Sequence, residues 1–196
     1  MAGNKGIARL TETLTGSKRE SLASSRIWFK VLPIPPRSKQ GSPHIDLAVG
    51  TIAVRQGTDS GIELDDVESP WVCFGEMKWY SDISVSVAYD VERNHLARVM
   101  ENAVCFQKSG TYAERVYVTR VTPIVFRDAV RRLRLYQYKF REYCANRQCI
   151  IDDLEASVLA ENPESDWFFP PDLRQRAHSL SPHWATYDEL FENLPH

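Results

Sequence analysis

The sequence has little excess charge, no paired cysteines and no long apolar run, and each shortage narrows what the chain can be. With a formal net charge of −2 it lacks the strongly basic balance of many nucleic-acid binders, so any such binding has to come from a local patch. Its four cysteines, Cys73, Cys105, Cys144 and Cys149, form no CxxC pair and sit in apolar or helical stretches. That argues against a zinc site and a secreted disulfide scaffold, and for buried thiols in a reducing compartment. No uninterrupted apolar run approaches the ~20 residues needed to span a bilayer. The polar start MAGNKGIARLTETLTGSKRE has no signal-peptide core, which points to a cytoplasmic protein.

What is present is a globular composition: 43% hydrophobic residues, with five Trp, eight Tyr and eight Phe. A chain of 196 residues is enough for one α/β domain with a sizeable core but tight for two. The organisation expected is an N-terminal segment over 1–43, a core over 44–160 and a C-terminal tail over 161–196 that packs on the core.

Residues 10–25 are Ser- and Thr-rich and only a weak helix candidate. Ile27 to Leu32 is a short apolar run that Pro33, Pro35 and Pro36 must end. His44 to Arg55 reads as a strand, Gly57 to Gly61 as a turn and Gly61 to Asp66 as the return strand. A second turn at Glu68-Ser69-Pro70 then leads into Trp71 to Tyr80, which predicts three consecutive antiparallel strands. From Asp90, the expected N-cap, to about Lys108 the apolar spacing is helical. Residues 114–126 return to β-branched alternation, with Pro123 marking an edge or a strand end. Residues 128–156 read as a long helical stretch broken near Asn146, and 184–194 as a final docking helix.

The chemistry-bearing stretch is Gly61 to Tyr80. Residues two apart on a strand share a face, so Glu76 and Lys78 emerge side by side while Met77 faces the opposite way. The turn at 68–70 would bring Asp66, or its neighbour Asp65, back toward that pair. Two carboxylates and a backbone carbonyl, here that of Met77, make a hard oxygen site suited to Mg²⁺ or Mn²⁺. Lys78 beside such an ion could orient a water and offset charge developing on a phosphate. Asp46, a carboxylate inside the first strand of the core, is the alternative ligand.

Together these residues resemble the PD-(D/E)xK, or restriction-endonuclease-like, superfamily, whose core pattern D-x(9)-E-x-K on a β-meander followed by a helix falls here on Asp66, Glu76 and Lys78. The resemblance covers about residues 45–126, and the proline that often precedes the aspartate is absent. It implies an α/β fold with a central mixed sheet flanked by helices, and Mg²⁺- or Mn²⁺-dependent hydrolysis of DNA, in a setting such as prokaryotic defence or repair. Many members carry a polar residue facing the site from the next helix, and here His95 or Arg98 matches that position. An N-terminal helix glutamate completes the metal site in some members, for which Glu12 and Glu20 are the candidates.

Residues 127–147 hold Arg127, Arg131, Arg132, Arg134, Lys139, Arg141 and Arg147 against only Asp128 and Glu142, a basic patch for DNA contact. Arg98, Arg131, Arg134 and Lys139 are the expected nucleic-acid contacts. The competing expectation is a non-catalytic module of the same fold, a subunit or homo-oligomer that docks partners through an exposed Trp167-Phe168-Phe169 cluster.

Overall fold

Residues 71–77 and 45–50 carry apolar side chains on both faces, so both strands need cover above and below, and they lie in the middle of a sheet. A computed structural model describes residues 2–18, 24–40, 42–81, 94–128, 135–162, 167 and 169–193. In chain order the elements are α1 (Ala2–Thr15), β1 (Arg26–Pro33), β2 (Ile45–Gly50), β3 (Ile52–Val54), β4 (Gly61–Leu64), β5 (Trp71–Met77), α2 (His95–Val104), β6 (Gln107–Lys108) and β7 (Thr111–Tyr112). They continue with β8 (Arg115–Thr122), α3 (Ile124–Asp128), α4 (Leu135–Ala145), α5 (Gln148–Glu155), α6 (Leu173–Ser179), β9 (Ser181–Thr186) and α7 (Tyr187–Asn193).

The fold is α/β: a seven-stranded mixed sheet of order β3-β4-β1-β2-β5-β8-β9 flanked by helices, plus the small β6-β7 ribbon. The β1–β2 and β2–β5 pairs are antiparallel, and β5–β8 and β8–β9 are parallel. Because side chains alternate along each strand, one face buries Leu47, Val49, Trp71, Cys73, Tyr117 and Val121 with Leu10 and Leu14 of α1 and Leu190 of α7. The other face buries Val72, Phe74 and Val118 with the apolar side of α2, including Leu96, Val99 and Met100, and with α4, α5 and α6.

The expected three-stranded meander does not form. Gly50 has φ +139, and a Cβ there would meet the Trp71 carbonyl oxygen at 2.3 Å, so the backbone approaches β5 more closely than any other residue allows. Thr51 then donates its hydroxyl to the same carbonyl at 3.0 Å. The strand breaks here, and β3 turns away from β5 to pair antiparallel with β4. β4 in turn runs parallel to β1, so β1 and β2 lie between it and β5.

Other departures have local causes. α1 is a full helix although its sequence is polar, because Leu10 and Leu14 bury its last turns against the sheet with Thr11 and Thr15 beside them. α2 begins at His95 with Asn94 as its N-cap, the Asn94 side chain accepting from the Ala97 amide, rather than at Asp90, which lies outside the described residues. Pro123 does end β8, an interior strand, and the helical stretch beyond it does break at 146–147. The expected final helix divides into β9, which joins the sheet, and α7. β1 and β9, from the segments that flank the expected core, are thus strands of the same sheet as the core.

All four cysteines are free; Cys73 and Cys105 are buried as expected, whereas Cys144 is exposed. Trp167 is buried and Phe169 lies under the Arg37 guanidinium, so this pair does not make the exposed docking cluster that was expected. Phe168 lies outside the described residues. No helix among the described residues is long and apolar enough to cross a membrane.

Candidate functional site

The antiparallel register that sets Leu47 across from Gly75 puts Asp46 directly across from Glu76. Directly opposed residues project from the same face, here the face covered by α2. The Met77 amide donates to Asp46 Oδ2 at 2.9 Å, which fixes the Asp46 carboxylate at the C-terminal end of β5. Lys78 Nζ lies 2.8 Å from Glu76 Oε1, and the Lys78 amide donates to the Val121 carbonyl at 2.9 Å. Glu76 and Lys78 therefore share a face, as their spacing predicts, and the Met77 side chain packs into the opposite cluster.

The same line of the sheet continues on both sides. On β1 the pairs Phe29↔Leu47 and Val31↔Ile45 leave Lys30 opposite Asp46, and its ammonium pairs with that carboxylate. Lys30 has φ 52, a left-handed backbone that costs a non-glycine residue free energy and is concentrated at functional positions. The Asp46 hydrogen bond raises its pKa against the opposing effect of burial, with the Asp46 and Glu76 charges adding to the rise. On β8, Arg120 stands in register with Glu76, fully buried, its guanidinium 4.2 Å from the Tyr136 ring centre. One row, Lys30–Asp46–Glu76–Arg120, crosses the four central strands.

The helix expectation also has its counterpart. His95 Nδ1 is 3.5 Å from Glu76 Oε1, and Arg98 contacts His95 Nε2 at 2.8 Å. Burial depresses the His95 pKa to about 4, helped by Arg98, Lys78 and Arg120 and opposed by Glu76. The ring is therefore neutral near pH 7. Since arginine only donates, Nε2 accepts from Arg98 and the proton resides on Nδ1, toward Glu76.

The start of α2 is anchored from behind, where the Asn94 amide donates to Tyr143 Oη and to Asp153 Oδ2, both at 2.9 Å. Lys139 belongs to this anchor: its ammonium lies 2.8 Å from Glu142 and 2.9 Å from Asp153. Arg131 and Arg134 lie outside the described residues.

Asp65 and Asp66 are not part of this assembly. They follow β4 and line a small cavity with Lys108, Ser109 and Thr111. The Asp65 amide bonds to Thr51, which bonds in turn to Trp71, so the pair sits at the N-terminal end of β5. Five residues of strand separate that end from Glu76, roughly 16 Å. The assignment of Asp66 as the carboxylate partner of Glu76 is corrected to Asp46, because β4 pairs with β3 and β1 and never approaches the far end of β5. Glu12 pairs with Lys18 on the α1 side, and Glu20 lies outside the described residues. A cleft lined by Lys18, Arg115, Tyr117 and Ser181 opens near the start of β8, away from the row.

Among the described residues, no group of three or more His, Cys, Asp or Glu side chains stands close enough to hold a metal ion unaided. The oxygen donors at the row are the two opposed carboxylates, a pair that suits a hard cation able to retain waters. Each carboxylate is instead met by a lysine ammonium, so the position attracts positive charge.

The buried neutral imidazole has a measurable consequence. Unfolded histidine binds its proton near 6.5 and folded His95 near 4, so the folded state binds fewer protons between those values. Stability should accordingly be lost as pH falls from about 6.5 toward 4, by about 3 kcal/mol from this residue. Denaturant unfolding in metal-free buffer at pH 7.5 and 4.5 checks this: the difference should shrink by that amount in His95→Gln, and an unchanged difference would refute it.

Fold and row together define an α/β domain with two opposed carboxylates, each salt-bridged to its own lysine, at the C-terminal end of β5. Compared with protein-family models, with characterised proteins and with solved structures, the chain shows no match.

Proposed function

We propose that this protein is a metal-dependent nuclease of the restriction-endonuclease-like kind that hydrolyses DNA phosphodiester bonds. The single observation that carries the proposal is the opposed pair Asp46 and Glu76, each bridged to a lysine, on adjacent central strands. Burying charge in an apolar sheet is costly, and Glu76 is 2% exposed, so the arrangement calls for a use that repays it.

Asp46, Glu76 and the Met77 carbonyl would hold Mg²⁺ or Mn²⁺. When bound, the ion supplies a lowered pKa for an adjacent water and a counter-charge for a phosphate oxygen. The protein's own groups do the rest. Lys78, steered by Glu76, can hydrogen-bond an attacking water or a phosphate oxygen as negative charge develops there. His95, kept neutral, leaves Arg98 fixed at its Nε2, where the guanidinium can meet a phosphate. Arg120, behind Glu76, adds fixed positive potential to a site whose substrate is an anion. Lys30, largely exposed on a long side chain, can leave Asp46 for a phosphate when a cation takes its place.

The test is direct. Wild-type protein with millimolar Mn²⁺ or Mg²⁺ should cleave DNA and melt about 2–6 °C higher than in EDTA. Absence of both cleavage and metal-linked stabilisation would leave a non-catalytic module as the better description.

A further inference from the structure

Directly after Lys78 the chain presents two large aromatic side chains to solvent: Trp79 is 55% exposed and Tyr80 63% exposed. Neither is needed to fill the core, and adjoining exposed rings usually mark a contact surface. Their placement is held from below. Trp79 packs edge-on against Tyr187 at 4.9 Å between ring centres, and Tyr80 against the buried Phe126 at 5.8 Å. Trp79 and Tyr80 meet each other at 5.7 Å with planes 88° apart, so the two rings present faces in different directions.

This shelf is continuous with the ionic row. Lys78 is its neighbour in sequence, and Tyr187, at its base, is close enough to Asp46, Arg120 and Glu76 for their charges to act on its hydroxyl, which burial holds above its usual range. On α7 the face carrying Tyr187 also carries the exposed, stacked Phe191 four residues on, whereas the acidic Asp188 and Glu192 fall one position round the helix. Aromatic faces beside the Lys30 and Lys78 ammonium groups match a ligand with flat apolar bases on a regularly charged backbone. A base can lie on such a ring only when it is unpaired.

We infer that Trp79 and Tyr80, supported by Tyr187, form a stacking platform for unpaired bases of a single-stranded nucleic acid whose backbone runs past Lys78 and Lys30 at the solvent edge of the row. The inference deepens the nuclease proposal and relies on it for the chemistry at the row, but binding to the platform needs no metal. It makes single-stranded DNA, or the frayed end of a duplex, the preferred substrate. Each ring keeps more than half of its surface exposed while packed against a neighbour, so part of the entropic cost of ordering it against a base is already met.

The experiment is a fluorescence-anisotropy titration in EDTA with labelled oligodeoxythymidine of about ten nucleotides, an abasic oligomer of equal length and charge, and a duplex of the same length. Oligodeoxythymidine should bind more tightly than both other probes. Trp79→Ala and Tyr80→Ala should each weaken it roughly 5- to 50-fold, with Trp79→Phe largely retaining it and abasic binding unchanged. Both side chains are mainly exposed, and thermal melts of the variants confirm folding independently. Equal binding of the thymidine and abasic probes, or no loss in either alanine variant, would overturn the platform, including the case in which these rings dock a protein. The same proteins with Mn²⁺ separate the two proposals. Cleavage without base-dependent binding leaves the nuclease and removes the platform; base-dependent binding without cleavage does the reverse.

Discussion

Asp46→Asn and Glu76→Gln should each reduce divalent-dependent DNA cleavage on the order of a thousandfold or more, whereas Asp66→Asn should leave it within about twofold of wild type. The contrast follows from the register. Asp46 and Glu76 oppose each other at one end of the central strands, and Asp66 lies at the other end of β5 in a separate cavity. Each amide variant keeps the volume and loses the charge, so a hard cation loses an anionic oxygen while the packing is preserved. Metal-linked stabilisation should vanish with cleavage in both. Lys78→Ala should behave differently, keeping the metal-linked rise in melting temperature while slowing the chemical step, because the ammonium is no oxygen donor. The measurement is single-turnover cleavage of single- and double-stranded DNA beside thermal melts with and without Mn²⁺. Loss of activity in Asp66→Asn with retention in Asp46→Asn would overturn the assignment of the site.

The residues of the row were more legible in the sequence than their grouping was. Past its first residue, each of the row's four strands has one charged residue in its run: Lys30 in RIWFKVLP, Asp46 in IDLAVG, Glu76 in WVCFGEM and Arg120 in RVYVTRVT. A charge within an apolar strand marks the other three positions as it marks Glu76, and it ranks Asp46 above the turn-forming Asp65 and Asp66. Strand register was not legible. It depends on the break at Gly50 and Thr51, where a close approach to the Trp71 carbonyl turns β3 out of the pair that continuous alternation suggests. Local periodicity detects strands but carries no record of which neighbour each will choose. His95 and Arg98 were named from the family resemblance, and helical spacing, a local property, was enough to orient them toward the site. Lys30's left-handed backbone has no signal in a lysine, and β9 was hidden because Ser181–Thr186 shows no clean alternation.

Glu101→Ala should be the most destabilising single change in the support of the site, costing about 3–5 kcal/mol. Glu101 lies on α2 with no exposed surface, and its Oε1 takes Arg37 Nε at 3.0 Å and a second guanidinium nitrogen at 2.9 Å. Arg37 also donates to the Leu159 and Leu154 carbonyls and lies 4.9 Å from the Phe169 ring centre. One guanidinium thus ties the segment after β1, the middle of α2, the end of α5 and the C-terminal tail. Removing the carboxylate leaves that charge buried with carbonyls alone, and desolvation is no longer offset. The melting temperature should fall by roughly 10 °C for a domain of this size. The double variant Arg37→Met/Glu101→Leu removes both charges and should recover most of the loss, because an apolar pair of similar volume fills the same space. Since α2 also carries His95 and Arg98, Glu101→Ala should weaken cleavage through the position of that helix, and the double variant should restore part of it. Urea unfolding of the two single variants and the double variant measures the coupling; simple additivity of the single effects would show that the pair does not act as a unit.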